Sequence, residues 1–271
     1  MKVVLGLAVG LLVIAGLFSG PPESPPETWP AGVVYSDSIM SRHVQVVGAS
    51  ADLEIDAVPE QKGVAIHTRG GGTCTPTVTP VDRSVRIDAT CKSAGFKIVL
   101  PTGKNLSVTT DSGDVTIDGN FGEVEGTSKS GAVALRARPV AASDFSSVVL
   151  TSESGKVTYQ SRPGWSGRIR QLTLTTQSGD VDVSAESADT LSVRSTSGDV
   201  GARITPTVGR VLIDTTSGDV SVTGVTRDRT LMLSSTWGRI NNKVTDARDG
   251  ADGQVSVTTK SGDIDILGGA K

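Results

Sequence analysis

The chain has 271 residues, long enough for one large or two ordinary domains, with 32 glycines and only 3% aromatic side chains. Small and β-branched residues dominate, which favours thin, regular β layers over a core of large rings. The formal net charge is −3, so no basic excess exists to neutralise a phosphate backbone, and nucleic acid is excluded as a partner.

The first element, residues 1–20, opens with Met1-Lys2 and runs from Val3 to Phe18 without a charge. That pattern predicts a helical membrane anchor or a secretory signal. The run ends Leu17-Phe18-Ser19-Gly20-Pro21-Pro22, a poor cleavage site, so an uncleaved anchor is preferred to a cleaved signal. Lys2 would stay inside and the rest of the chain would be exported. Residues 21–32 follow as a proline-rich linker. PPESPPETWP (21–30) holds five prolines in ten residues, a stiff spacer that reaches about 30 Å when extended.

Residues 33–100 alternate apolar and polar without a clear repeat and predict irregular β coils that cap the N-terminal end. VQVVGASADLEI (44–55) reads as a degenerate coil with Ser50-Ala51-Asp52 at its corner. The two cysteines, Cys74 and Cys91, fit one disulfide in an oxidising compartment. It would close a loop of about 15 residues and stabilise by ~3 kcal/mol. A redox or metal pair is the alternative, without CxxC spacing or a neighbouring histidine to support it.

Residues 101–271 carry eight copies of one phrase, of which LTTQSGDVDV (174–183) is typical. Its turn glycines are Gly113, Gly131, Gly155, Gly179, Gly198, Gly218, Gly238 and Gly262, spaced 18 to 24 residues apart. Two positions after each glycine the residue is always Val or Ile. Seven and five positions before it stand apolar pairs such as Leu172/Leu174, weakest in the second unit with Val124 and Gly126. This alternation predicts a strand with one buried face on each side of a corner. Glycine suits the corner because it tolerates positive φ, and the flanking Ser and Asp can bond nearby amides.

Three residues before each glycine stands a Ser or Thr of inward parity: Thr110, Ser128, Ser152, Thr176, Ser195, Thr215, Ser235 and Thr259. Stacked coils would turn that column into a ladder of hydroxyls bonded to one another. The prediction is therefore an all-β chain forming a single β-solenoid of ~20-residue coils, eight of them spanning about 38 Å. An antiparallel meander, with each Ser-Gly-Asp as a hairpin tip, is the alternative. The last unit, TTKSGDIDILGGAK, would leave an open edge through which the C-terminal coil self-associates.

The phrase L-x-V-x-T-x-SGDV-x-V, over roughly residues 40–267, resembles the bacterial putative-adhesin family of β-strand-repeat proteins of unknown function. FKIVLPTGKNLSVTTDSGDVTI (96–117) is similar to that family's lead-in to its repeats. Departures are Ala132, Lys156 and Arg239 where Asp is usual, and Trp237 for Ser. The resemblance implies an exported β-solenoid linked to adhesion or envelope stress, and it carries no catalytic residues with it.

Five corners bear aspartate, Asp114, Asp180, Asp199, Asp219 and Asp263. A stack of carboxylates could collect Ca²⁺. The competing reading has each Asp closing its own corner by a local hydrogen bond. The insertion SRPGWSGRIRQ (161–171) joins Trp165 to Arg162, Arg168 and Arg170, which could meet an anionic envelope glycan or lipid phosphate or could simply cover the solenoid flank. Trp237 with Arg239 offers a similar pair at a corner. His43 and His67 are the only histidines and lack a partner motif for metal or acid–base work. No cofactor is expected.

The function expected is that of an exported, membrane-tethered, non-enzymatic surface protein for adhesion, scaffolding or envelope sensing, with the membrane and an envelope glycan or protein as partners. Alternatives are a self-assembling polymeric scaffold and a polysaccharide-acting β-helix enzyme.

Overall fold

The computed structural model describes residues 33–36, 42–69, 76–81, 83–90, 95–138, 144–162, 164–244 and 253–269. The expected membrane segment and linker, and Cys74 and Cys91 of the expected disulfide, lie outside the described residues. Those described form 23 strands in two sheets, of 12 and 11 strands. Among them no helix is long and apolar enough to cross a membrane.

Each repeat is one coil, with the strand before the glycine corner in one sheet and the strand after it in the other. The coils are β8 (Asn105–Thr110) with β9 (Val115–Asp118), β10 (Glu123–Ser128) with β11 (Val133–Ala137), and β12 (Phe145–Ser152) with β13 (Val157–Ser161). Next come β14 (Ile169–Ser178) with β15 (Val181–Ala185), β16 (Ala188–Ser197) with β17 (Val200–Ile204), and β18 (Val208–Ser217) with β19 (Val220–Val225). Each strand pairs in parallel with its equivalent in the neighbouring coil, so that Leu106, Val124, Val148 and Leu172 fall in one row. Parallel pairing between repeats rules out the meander, whose neighbours would be antiparallel hairpins. The fold is β-solenoid-like.

The period-2 pattern places the branched aliphatics between the sheets. Val108, Leu150, Leu174 and Val193 on one sheet, and Val133, Val157 and Val181 on the other, are fully buried. Each such side chain stabilises the fold by about 1.5–3 kcal/mol. Gly126, the weak position of the second unit, is not a void. A Cβ there would lie 3.0 Å from Val133 and 3.2 Å from Leu150, so the neighbours occupy the space.

The two ends depart from sequence order. At the N-terminal end β2 (His43–Gly48) and β3 (Asp52–Val58) form the degenerate coil read from VQVVGASADLEI. This coil lies between β8–β9 and a further coil, β6 (Ser84–Ala89) with β7 (Gly95–Pro101). Both are regular parallel coils, so the region is less irregular than expected. The cap beyond them is antiparallel: β4 (Gly63–Arg69) on β7, β5 (Thr77–Val81) on β6, and β1 (Val33–Ser36) on β4. Ten coils therefore stack instead of eight, about 43 Å from first to last at ~4.8 Å per step.

At the C-terminal end the last repeat, β22 (Gln254–Ser261) with β23 (Ile264–Gly268), inserts between β18–β19 and the coil that precedes it in sequence, β20 (Thr230–Ser235) with β21 (Ile240–Asn242). The open edge expected on the last repeat is therefore covered, and the exposed coil is the penultimate one. Residues 226–229 carry the chain past the skipped slot. Arg229, 1% exposed, plugs the crossing by donating to the carbonyls of Gly209 and Pro206, both at 3.0 Å, and of Val208.

Candidate functional site

The corner aspartates form a column in two runs, but they do not close their own corners. Asp52 Oδ1 accepts the Asp114 N–H at 3.1 Å, and Asp114 Oδ1 accepts that of Ala132 at 2.8 Å. After a gap at Ala132 and Lys156, Asp180 accepts from Asp199, Asp199 from Asp219, Asp219 from Asp263, and Asp263 from Arg239, at 2.8–3.0 Å. Each carboxylate thus ties its coil to the next in the stack, and the last two bonds follow the exchanged order of the final repeats. The local-bond reading is corrected on this point: the column points along the stack. Among the described residues no three His, Cys, Asp or Glu side chains are arranged to hold a metal ion.

The inward hydroxyls also bond in a way the sequence did not predict. Five of the eight donate to corner carbonyls of the neighbouring coil and not to one another. Thr110 reaches Ala49 O at 3.1 Å, Ser152 reaches Gly131 O at 2.9 Å, and Ser235 reaches Gly262 O at 2.9 Å. The hydroxyls of Ser195, Thr215 and Thr259 are buried with no hydrogen-bond partner.

The insertion does not gather its four residues at one point. Trp165 is buried, its ring 5.9 Å from that of Phe145 and tilted by 54°, so it serves as core. Arg162 approaches Asp118 at 3.8 Å, whereas Arg168 pairs with Asp189 and takes Asp144 through its N–H at 2.8 Å. Arg170 is exposed on β14. His43 and His67 lie on β2 and β4, in different sheets.

A cluster that sequence reasoning missed lies on the outer face of the 12-stranded sheet near its N-terminal end. Lys97 binds Glu54 and sits 3.0 Å from Asp56. Arg138 grips Asp118 with two bonds of 2.6 and 2.8 Å. Burial alone would lower the Lys97 pKa, but the bonds to Glu54 and Asp56 outweigh it and raise the value. The Asp118 hydrogen bond likewise raises that of Arg138. These groups line a shallow depression of about 430 Å³ with Asp52, Asp114 and Arg136. The signal was present in the alternation Asp52-x-Glu54-x-Asp56. It becomes readable only once β3 is known to lie between β7 and β9, which places Lys97 and Asp118 beside it.

The second unexpected feature is the tip of the stack. On β20 and β21, Met232 is 54% exposed, Ile240 46%, and Trp237 at the corner between them 77%. Leu231 and Leu233, of inward parity, are only partly buried. Arg239 pairs with Asp263 at 3.3 Å.

This architecture, two parallel sheets coiled around a narrow aliphatic core and stitched by corner side chains, defines a solenoid-like repeat protein. A sequence profile matches residues 31–267, and the chain belongs to the Toastrack DUF4097 family, a family of unknown function. No curated protein matches the chain. A solved structure that it is similar to is that of a putative cell adhesion protein from Clostridium sporogenes ATCC 15579. The two share 8% identity and a TM-score of 0.26, over 87% of this chain and 97% of that one.

Proposed function

We propose that the chain is an exported, non-enzymatic rod, held at the membrane by its N-terminal apolar segment, that acts in adhesion or scaffolding through its flanks. The observation that carries this reading is the use made of the repeated polar residues. Corner carboxylates bond the neighbouring coil's amides, several inward hydroxyls bond its carbonyls, and Lys97 and Arg138 are paired. The repeat therefore builds a periodic face instead of converging acids and bases. Thr109, Thr127, Thr151 and Thr175 stand in register on the outer face of the 11-stranded sheet, one every ~4.8 Å. Such a face contacts an extended partner at many equivalent points.

The test is retention of the full-length protein on cell-envelope fractions, compared with a Thr127→Lys/Thr151→Lys/Thr175→Lys variant. Retention of the parent with loss in the variant supports the reading. Equal retention of both moves the contact off this face, and no retention of either overturns the proposal. Release of reducing or unsaturated sugar ends from envelope polysaccharide would overturn the non-enzymatic assignment.

A further inference from the structure

The two ends of the stack are finished differently. The N-terminal end is closed by antiparallel strands. Its outermost strand in the 11-stranded sheet is β5, which contains Pro80, a residue with no N–H to offer a further strand. The other end stops at β20 and β21, the outermost strands of both sheets. Thr230 N–H donates inward to Gly253 O at 3.1 Å, and Lys243 N–H to Ile266 O at 2.9 Å. By alternation, the amides of Leu231, Leu233 and Ile240 point out of the stack. Among the described residues two unpaired edges are thus presented together with Met232, Trp237 and Ile240, the kind of open edge that solenoids ordinarily cap.

Among the described residues no strand covers this tip. Residues 245–252, which join β21 to β22, read TDARDGAD and contain no large apolar side chain. The chain begins its described path at β1, on the far edge of the 12-stranded sheet, about 50 Å away at ~4.8 Å per strand. A single partner strand could satisfy only one edge, because the two sheets lie ~10 Å apart. A second coil end with the same spacing satisfies both. The chain's own N-terminal end is a poor match, because Pro80 lies on it. A second tip fits: a two-fold axis normal to both sheets sets β20 against β20 and β21 against β21 of the second copy, antiparallel, and closes the contact.

We propose that the β20–β21 tip is a self-association surface that docks on the same tip of a second copy. The end of the coil, roughly 20 Å by 20 Å from strand length and sheet spacing, offers about 400 Å² per copy. That is half of the ~800 Å² per partner that stable complexes bury. The dimer is therefore weak in solution and gains strength where many copies are displayed together. If the base is held at a membrane, which rests on the reading proposed above, the tips face away from it and link copies on opposing surfaces. The association itself does not depend on that reading.

Sedimentation equilibrium of the full-length protein in detergent tests the contact. The mass should rise with concentration towards a dimer and go no further. Met232→Lys/Trp237→Glu, both at exposed positions, should weaken dimerisation about tenfold or more. Val81→Lys, exposed at the opposite end, should leave it unchanged. Amide exchange at Leu231 and Leu233 in the unmutated protein provides a readout that needs no variant, and it should slow as dimer forms. A monomer at every concentration to about 100 μM, the weak end of specific association, overturns the proposal. So do growth beyond a dimer, a dimer indifferent to the tip variant, or exchange at Leu231 and Leu233 that does not respond.

Discussion

Corners that share one sequence motif fold in two ways along this stack. At Gly131 the inward hydroxyl of Ser128 accepts the glycine N–H at 2.8 Å and reaches Gly113 O at 3.4 Å. At Gly198 and Gly218 the glycine N–H instead donates to the carbonyl of Ser217 or Ser261, at 3.0 Å, in the coil stacked next to it. There the pairing of strands continues through the corner serines, Ser178 on Ser197 and Ser197 on Ser217, and the hydroxyls of Ser195 and Thr215 are left without partners. Gly198, Gly218 and Gly262 take φ of 137°, 140° and 151°, whereas Gly131 and Gly155 have no such torsion. Positive φ is thus not what the glycine column has in common. The shared feature is space. A Cβ on Gly131 would lie 2.1 Å from Gly113 O, and one on Gly218 would lie 2.1 Å from Gly198 O.

The sharpest way to break this comparison is to add that Cβ. Gly131→Ala and Gly218→Ala should each destabilise by about 3 kcal/mol or more, because the obstruction is backbone and cannot swing aside. Gly218→Ala should be the worse by ~1 kcal/mol, since only that site also demands a left-handed torsion. Denaturant midpoints at constant slope measure both. If Gly131→Ala is tolerated while Gly218→Ala is not, torsion and not coil spacing selects glycine.

The same contrast shows what could be read from the chain beforehand. The buried columns were legible because period-2 alternation is a local signal: Leu172/Leu174 and Val181/Val183 face inward in any stack. The corners were legible as corners because parity changes across Ser-Gly-Asp. What the corner side chains bond to was not, because the partner of Asp199 or Ser152 lies one coil away, about twenty residues along the chain. Stacking order was hidden for a related reason. Repeat seven departs from repeat eight at its corner, with Trp237 and Arg239 for Ser261 and Asp263, but that departure does not by itself say that Asp263 sits beneath Arg239 and Asp219 beneath Asp263. Glu54, Asp56, Lys97 and Asp118 became neighbours only through the insertion of β2–β3 beside β8–β9. For Trp165 the arginine-rich insertion left ligand contact and flank cover both open, and Phe145 of the preceding coil, which supplies the apolar surface it covers, decides for cover.

A milder test removes hydroxyls from the two kinds of corner. Ser128→Ala deletes a buried acceptor for the Gly131 N–H and a donor to Gly113 O, and should cost about 1–3 kcal/mol. Thr215→Val keeps the shape and removes a buried hydroxyl that has no partner, so stability should be unchanged or should rise by up to ~1 kcal/mol. Thermal melts of the pair distinguish the corners directly. Equal losses at both sites would show that Thr215 is bonded in solution and that the two geometries are one.

The smallest effect concerns the carboxylate ladder and its gap. Ala132 and Lys156 interrupt the column, so the Lys156 amide has no carboxylate beneath it where the Asp219 amide has Asp199. Ala132→Asp should therefore stabilise by about 0.5 kcal/mol, and Asp199→Ala should destabilise by a similar amount, each being one exposed coil-to-coil bond. Acid supplies the sign. At the end of the ladder the Arg239 N–H, helped by the charge and hydrogen bond of that side chain, holds the Asp263 carboxyl below its usual range against the opposing effect of desolvation. A carboxylate with a lowered folded-state pKa contributes fully above its unfolded value of ~3.9, and the contribution fades as pH falls through the folded value. Asp263→Ala should therefore cost stability at pH 7 and cost none near pH 2, as melts at the two pH values would read. Millimolar calcium or a chelator should leave both melts where they were, because each ladder carboxylate already accepts an amide of the next coil. A calcium-dependent gain in the Ala132→Asp variant would instead show that the column collects cations when more of its acids stand in succession.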